Sequence, residues 1–532
     1  IRTISPATAL PALAGGITID GFSQPGAAPN TGKINEYMNA AWAVHLNAPG
    51  MTALVATGAG NAIRGLSIQA GSAGISAVRI EGSGNTVAGN RIGLDSANHA
   101  TGWQSLYGIE LAGNSNLVGG SQPADRNYLS NNIRGVGGTG SNNRVSGNFI
   151  GSAGKFQDPN SFAGVLFADG ATGNIIGTDS DGQGDTQEAN VISSNSYAGI
   201  YLEFANNTVI RGNIIGLNPQ GNAVLGNANS GIVVADSPGT KIGGPGQVDG
   251  NIVSGNGVNG IALTGSDSKN IAIINNTVGL LSDGTTKAGN GANGIVIGSY
   301  AASSLHWNYA RHPWVGGPTQ VAIFNNTISG NGAGVVINSN TLYGSKSSAI
   351  TVSENRIGVS VDGTRLISNT GPGVLVDSSF DNILEGNTIA SSSGIGVRVV
   401  GPLSAGNMIK GNRIETTGSS AVVVDSALQT SILGNWVASP GFSAINIIDA
   451  IGTVVGSSTS GNTIAAGTTG VSLSGGSLSG TVVSGNQVRN TAAGITVTGG
   501  ASVSIIANSL NSISGDGISL SSTSGGSLIA DN

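Results

Sequence analysis

The chain has 532 residues, of which 89 are Gly, 9% are charged, 4% are aromatic and none is Cys. A net charge of −6 without a basic stretch makes nucleic acid and anionic membrane poor partners, and the missing Cys removes disulfide and thiol chemistry. No run of about 18 apolar residues reads as a membrane span.

In chain order, residues 1–50 are the least regular. A strand and turn at 17–21 and a second strand at 43–46 flank a Pro-, Asn- and Gly-rich excursion at 23–39. From residue 51 onward coils become recognisable, so 51–532 reads as one continuous repeat domain. Its first phrase runs through Gly108-Ile-Glu-Leu, Gly164-Val-Leu-Phe, Gly199-Ile-Tyr-Leu, Gly231-Ile-Val-Val, Gly260-Ile-Ala-Leu, Gly294-Ile-Val-Ile and Gly334-Val-Val-Ile. From Gly164 on these start 35, 32, 29, 34 and 40 residues apart. Insertions of about ten residues follow the Asn-x-Ile-Gly strands, at 94–107, 152–163, 217–230 and 280–293. Loops that leave one turn of successive coils stack into a side wall, a face solenoids often use for binding.

Between Gly373 and Leu520 the spacing tightens. Gly373-Val-Leu-Val, Gly396-Val-Arg-Val, Ala421-Val-Val-Val, Ala444-Ile-Asn-Ile, Gly470-Val-Ser-Leu, Gly494-Ile-Thr-Val and Gly517-Ile-Ser-Leu start 23, 25, 23, 26, 24 and 23 residues apart. A second phrase alternates with them, as in Gly386-Asn-Thr-Ile, Gly411-Asn-Arg-Ile and Gly434-Asn-Trp-Val. Apolar residues at every second position put alternate side chains on opposite faces of a strand. A period near 24 with two or three such strands and Gly, Asn and Ser turns describes one coil of a parallel β-helix. The recurring Asn predicts a ladder of side-chain amides from coil to coil. Some 16–18 coils, about 4.8 Å apart, would give a rod on the order of 80 Å long with open strand edges at its ends. Ile1-Arg-Thr-Ile already reads as strand and 527–532 stops just after one, so both ends read as internal to a longer rod.

These phrases, with Ile17-Thr-Ile-Asp-Gly-Phe-Ser-Gln-Pro-Gly26, Gly84-Asn-Thr-Val-Ala-Gly-Asn-Arg-Ile-Gly93 and Gly212-Asn-Ile-Ile-Gly-Leu-Asn-Pro-Gln-Gly-Asn222, resemble the secreted bacterial right-handed parallel β-helix repeat proteins. The resemblance spans the chain. It implies an all-β, right-handed solenoid and export to the cell surface or the extracellular space, and it brings no catalytic residues.

Three stretches bear on chemistry. Residues 299–317 form an aromatic-rich insertion in which Tyr300, His306, Trp307, Tyr309, Arg311, His312 and Trp314 offer flat rings and donors for a glycan or a protein partner. The bland alternative is a loop that folds back over apolar surface. Asp179, Asp181 and Asp185, with Glu188 nearby, have the oxygen ligands of a Ca²⁺ loop but not the EF-hand order, so a solvated turn competes with metal binding and no other cofactor is indicated. Sugar hydrolysis wants two carboxylates facing one substrate, which Glu354, Asp377, Asp381 and Glu385 could supply from adjacent coils. Yet no Asp-Asp pair, Gly-His-Gly or Arg-x-Lys motif is present.

The sequence reading therefore favours a non-enzymatic structural or adhesive module that stacks end to end or joins neighbouring modules. The alternative is a polysaccharide lyase, a hydrolase or a glycan-binding module that uses the loop wall.

Overall fold

A computed structural model of the chain describes all residues except 98, 101–102, 152–158, 299–315, 340–345, 392–393, 417, 501 and 522–525. It is all-β, with two single-turn 3₁₀ helices among the described residues, Gly21–Ser23 and Pro123–Asp125. Among those residues no helix is long and apolar enough to cross a membrane. Contacts divide the chain into two compact units, one of Ile1–Ala262 with Ile271–Gly291 and one of Leu263–Asn270 with Ala292–Asn532.

In the first unit each coil has three strands, and each strand pairs in parallel with its counterpart one coil on. The first-phrase strands Tyr107–Leu111, Arg134–Gly138, Ala163–Ala168, Ala198–Glu203 and Ile232–Ala235 form the first face. Short strands such as Arg144–Ser146, Ile175–Gly177 and Val209–Arg211 form the second. Tyr128–Leu129, Phe149–Gly151, Val191–Ser193 and Ile214–Ile215 form the third. Apolar residues at alternate positions point inward, and rows such as Val136, Val165, Ile200 and Ile232 are fully buried. Burying apolar area at about 25 cal/mol per Å² is the main stabilising term.

The turns are held by amide ladders. Asn90, Asn127, Asn148, Asn190, Asn213 and Asn251 each donate Nδ2 to the next Oδ1, ending at Asn276, at 2.8–3.2 Å. A second ladder climbs from Asn132 through Asn160, Asn195, Asn227 and Asn256 to Asn290. A third joins Asn61, Asn85, Asn116 and Asn143. These amides are buried, and Oδ1 of a rung also takes the backbone amide of the rung before it, as Asn127 does from Asn90 and Asn251 from Asn213. The sequence pattern points to the first of these ladders, and the structure adds two more.

The insertions leave the turn after the third face. Leu217 bridges Val224 and Leu280 bridges Lys287, which closes two small hairpins. They stack, with the Ser282 amide donating to the Gly221 carbonyl at 3.0 Å. The N-terminal excursion is a strap. Ile34, Met38 and Trp42 pack over Tyr128, Phe149, Leu94 and Val191, sealing the third face on its outer side.

The second unit repeats the plan with tighter coils. Val374–Asp377, Val397–Val400 and Val422–Asp425 pair on the first face, and Thr388–Ser391, Arg413–Thr416 and Trp436–Ile448 on the third. Its ladder runs from Asn326 through Asn355, Asn387, Asn412, Asn435, Asn462, Asn486 and Asn508 to Asn532, at 2.8–3.0 Å.

Candidate functional site

Tyr300, His306, Trp307, Tyr309, Arg311, His312 and Trp314 lie outside the described residues. Asp179, Asp181 and Asp185 do come together, with one ligand oxygen from each within 4.8 Å of the others. Most of those oxygens already serve the turn. Asp179 Oδ1 accepts from the Asp181 amide and Asp181 Oδ1 from the Gln183 amide, while the Asp185 carboxylate takes the Thr178 hydroxyl and the Gly182 amide. Arg144 bridges Asp179 and the buried Glu188, so the loop carries its own counter-charge. Glu354, Asp377, Asp381 and Glu385 are divided between two faces. Glu385 ends a second-face strand and holds Lys410 at 3.0 Å, whereas Asp377 ends a first-face strand and accepts from Ser378 Oγ.

The structure assembles a different set on the first face of the first unit. Ala168, Glu203 and Ala235 are register partners at the ends of three consecutive strands, and they point outward. The next residue on the flanking coils is Asp169 and Asp236, each in the left-handed region at φ 51° and 45°. Three carboxylates thus occupy three successive coils. Coils stand about 4.8 Å apart, so each aspartate lies one coil and one residue from Glu203, and the two aspartates are two coils, about 10 Å, apart along the stack. The glutamate is only 7% exposed, between alanine register partners on both sides, while Asp169 faces solvent.

Aromatic rings run from this edge toward the start of the same strands. Phe162 stacks on Tyr197 with centroids 5.0 Å apart and planes 9° apart, and Tyr201 leans against both. Two residues before Tyr201, a Cβ at Gly199 would meet the Gly231 carbonyl at 2.6 Å, so the coils there are closely packed. Arg134 lies between the rings of Tyr107 and Phe162, 5.0 and 5.8 Å from their centroids. Burial pushes the Tyr107 phenol up to about 12, against the pull of Arg134. Burial also raises the Tyr201 phenol well above its usual range, and Glu203, Tyr197 and Asp236 add to the effect. Both hydroxyls therefore stay protonated as donors at any ordinary pH.

A cleft of about 510 Å³ opens beside this row, lined by Ser72–Gly74, Trp103, Gln104, Asn131 and Ile133. Trp103 is 59% exposed. Ile133 links the cleft to the aromatic row, since its carbonyl accepts from the Phe162 amide at 2.9 Å. An indole platform, a stacked ring pair and a carboxylate edge follow one another on one outer surface. Flat rings suit the apolar faces of sugars, and paired carboxylates suit proton transfer.

Sequence reasoning missed this edge, although a signal was present. Aligning Gly164-Val-Leu-Phe-Ala-Asp169, Gly199-Ile-Tyr-Leu-Glu-Phe204 and Gly231-Ile-Val-Val-Ala-Asp236 on their glycines brings the three carboxylates side by side.

Residues 348–532 match the family model described as a right handed beta helix region. No curated protein matches the chain. Among solved structures it is similar to the A-module of a mannuronan C-5 epimerase from Azotobacter vinelandii, with 14% identity, 91% of this chain and 90% of that chain covered, and a TM-score of 0.34. It is also similar to a tailspike protein of an E. coli bacteriophage in complex with a hexasaccharide, at 11% identity, 90% and 71% coverage and a TM-score of 0.41. A periplasmic alginate epimerase aligns at 12% identity, 87% and 76% coverage and a TM-score of 0.28. The likeness is one of fold, a right-handed parallel β-helix. Two of these three proteins are polysaccharide epimerases and the third holds an oligosaccharide, so the expectation of a chain without enzymatic activity is corrected here. That expectation rested on the missing Asp-Asp, Gly-His-Gly and Arg-x-Lys motifs, and the carboxylates weighed from adjacent coils were Glu354, Asp377, Asp381 and Glu385 rather than those at 169, 203 and 236.

Proposed function

We propose that the chain is a polysaccharide-acting enzyme, with its reaction centre at the carboxylate edge of the first unit. The observation that carries this is the convergence of Asp169, Glu203 and Asp236 on consecutive coils beside the Phe162–Tyr197–Tyr201 rings. Their backbones stand one and two coils apart, about 5 and 10 Å, a spacing from which a pair of carboxylates can reach one glycosidic bond. In this reading the glycan lies across the aromatic row with its leading end in the Trp103 cleft. Glu203, fixed between two alanines, gives its proton to the glycosidic oxygen as the C–O bond breaks. Asp169, open to solvent, takes a proton from the attacking water. A glycan substrate also fits an exported protein.

The test is a panel of neutral and acidic polysaccharides incubated with the full chain. Reducing-end release, ultraviolet absorbance of unsaturated ends and proton NMR of the anomeric region separate hydrolysis, elimination and epimerisation. Turnover that disappears in Glu203→Gln and Asp169→Asn, with folding intact by circular dichroism, supports the assignment. Turnover unchanged in both variants overturns it.

A further inference from the structure

The second unit has a groove of its own on its third face. The hairpin closed by the bridge between Val359 and Leu366 is rigid, with the Ser360 amide on the Arg365 carbonyl, the Arg365 amide on Ser360 Oγ and the Thr364 amide on Asp362 Oδ1. In the first unit the equivalent hairpins lie against one another, Ser282 on Gly221. Beyond Leu366 the coils are short, at 23–26 residues, and the wall stops. The underside of the hairpin therefore overhangs bare strand and leaves about 320 Å³ of open space.

That volume falls at the low end of the roughly 300–1,000 Å³ of small-ligand sites. The floor is flat because register partners Ala390, Glu415 and Ala438 are two alanines and one glutamate. Glu415 is held in place by Arg413 at 2.7 Å, and the Arg413 guanidinium lies 4.0 Å from the centroid of the Trp436 ring. Trp436 sits two residues before Ala438 on the same strand and faces outward with it. Above the floor hang Arg365 and Leu366, the latter 53% exposed. A carboxylate acceptor, a guanidinium donor, small apolar floor groups and a neighbouring indole complement the vicinal hydroxyls and the C–H face of a sugar ring. Glu415 is paired with Arg413, and Arg365 is the one further charged residue of the lining, so among the described residues the groove lacks the cluster of cations that an acidic polymer calls for.

We propose that this groove is a secondary binding site for a neutral glycan, remote in sequence from the carboxylate edge, which holds polymer without acting on it. It rests on the reading of the chain as polysaccharide-acting and assigns the uncharged class of substrate. The experiment is native affinity electrophoresis of the full chain in gels containing galactomannan, xyloglucan, mixed-linkage β-glucan or, as the charged control, alginate. Wild type should be retarded by at least one neutral polymer. Ala390→Trp, which fills the groove from an outward position, should weaken that retardation at least fivefold, and Glu415→Ala should weaken it in the same gel.

The double variant Asp169→Asn with Glu203→Gln should keep full retardation while losing turnover, so failure of the edge and failure of the groove are read separately. Retardation by alginate alone, or full retardation of Ala390→Trp with a native melting curve, overturns the proposal. So does a wild type that no neutral polymer retards. A change of sedimentation coefficient in Ala390→Trp without a change in the gels would assign the groove to a second copy of the chain and overturn it as well.

Discussion

At the first-face strand ends of the first unit the chain reads Ala168-Asp169, Glu203-Phe204 and Ala235-Asp236; in the second unit it reads Asp377-Ser378, Val400-Gly401 and Asp425-Ser426. Both edges carry carboxylates on outward positions beside a left-handed residue. In the second unit each aspartate accepts from its own serine at 3.0 Å, Asp425 also faces Arg398 at 3.5 Å, and a valine separates the two. In the first unit the left-handed position itself carries the aspartates, and the middle coil supplies a glutamate rather than a valine. The outward neighbours differ too, with Leu166 and Tyr201 on one edge and Leu375, Arg398 and Val423 on the other. A carboxylate at a strand end is thus an ordinary turn device of this fold, and a third carboxylate with aromatic company distinguishes a site.

The largest expected effect separates the two edges directly. Glu203→Gln should lower turnover at least about 100-fold, the lower end of what a positioned proton donor contributes. Asp425→Asn should leave turnover unchanged, and an equal loss in both variants would put the edges on the same footing. Next in size is the contrast on the third face. In the first unit Tyr128 and Phe149 lie under the strap, whereas in the second Arg413 and Trp436 meet solvent. Trp42 is 9% exposed and donates Nε1 to the Gly89 carbonyl at 2.9 Å, so Trp42→Ala should cost about 3–5 kcal/mol in urea unfolding. Trp436→Ala should cost far less, because its ring already contacts water.

The ladders should be alike in both units. Asn213→Ala and Asn412→Ala each remove a buried amide that bonds its neighbours above and below at 2.9 and 3.0 Å. Each should cost about 1–3 kcal/mol, since the buried backbone amide of the preceding rung, Asn190 or Asn387, loses its acceptor. A clear difference between them would show that one unit tolerates a missing rung.

Much of this fold is legible in the chain because its repeat writes geometry into spacing. The Gly-Asn phrases mark one ladder, and the ten-residue insertions mark the turn from which the Leu217 and Leu280 hairpins leave. The other two ladders are harder to see, because Asn132, Asn160 and Asn195 are separated by insertions of unequal length. The carboxylate edge is invisible to motif reading for the same reason. Asp169, Glu203 and Asp236 are 34 and 33 residues apart, and only the inter-coil hydrogen bonds make them neighbours. The strap is illegible in a further sense, since an irregular Pro-rich stretch does not state which surface Ile34, Met38 and Trp42 will cover.

The smallest effect concerns the strap's own coil, which buries a histidine, a residue that the third-face strands of the second unit do not carry. His45 is 2% exposed, and its Nδ1 lies 2.9 Å from Ser67 Oγ. Burial, then the neighbouring Arg91 cation, lowers its pKa, and Asp95 only partly opposes them. The folded state therefore resists protonation that the unfolded chain accepts near pH 6.5. Below that value the unfolded state binds more protons, so stability should fall as the pH drops from 7 toward 5.5 and should be flat above 7. Thermal unfolding across this range should show the slope in wild type, and His45→Gln should flatten it, because a neutral amide keeps a partner for Ser67 and has nothing to titrate. A slope that persists in His45→Gln would place the pH dependence among the carboxylates instead.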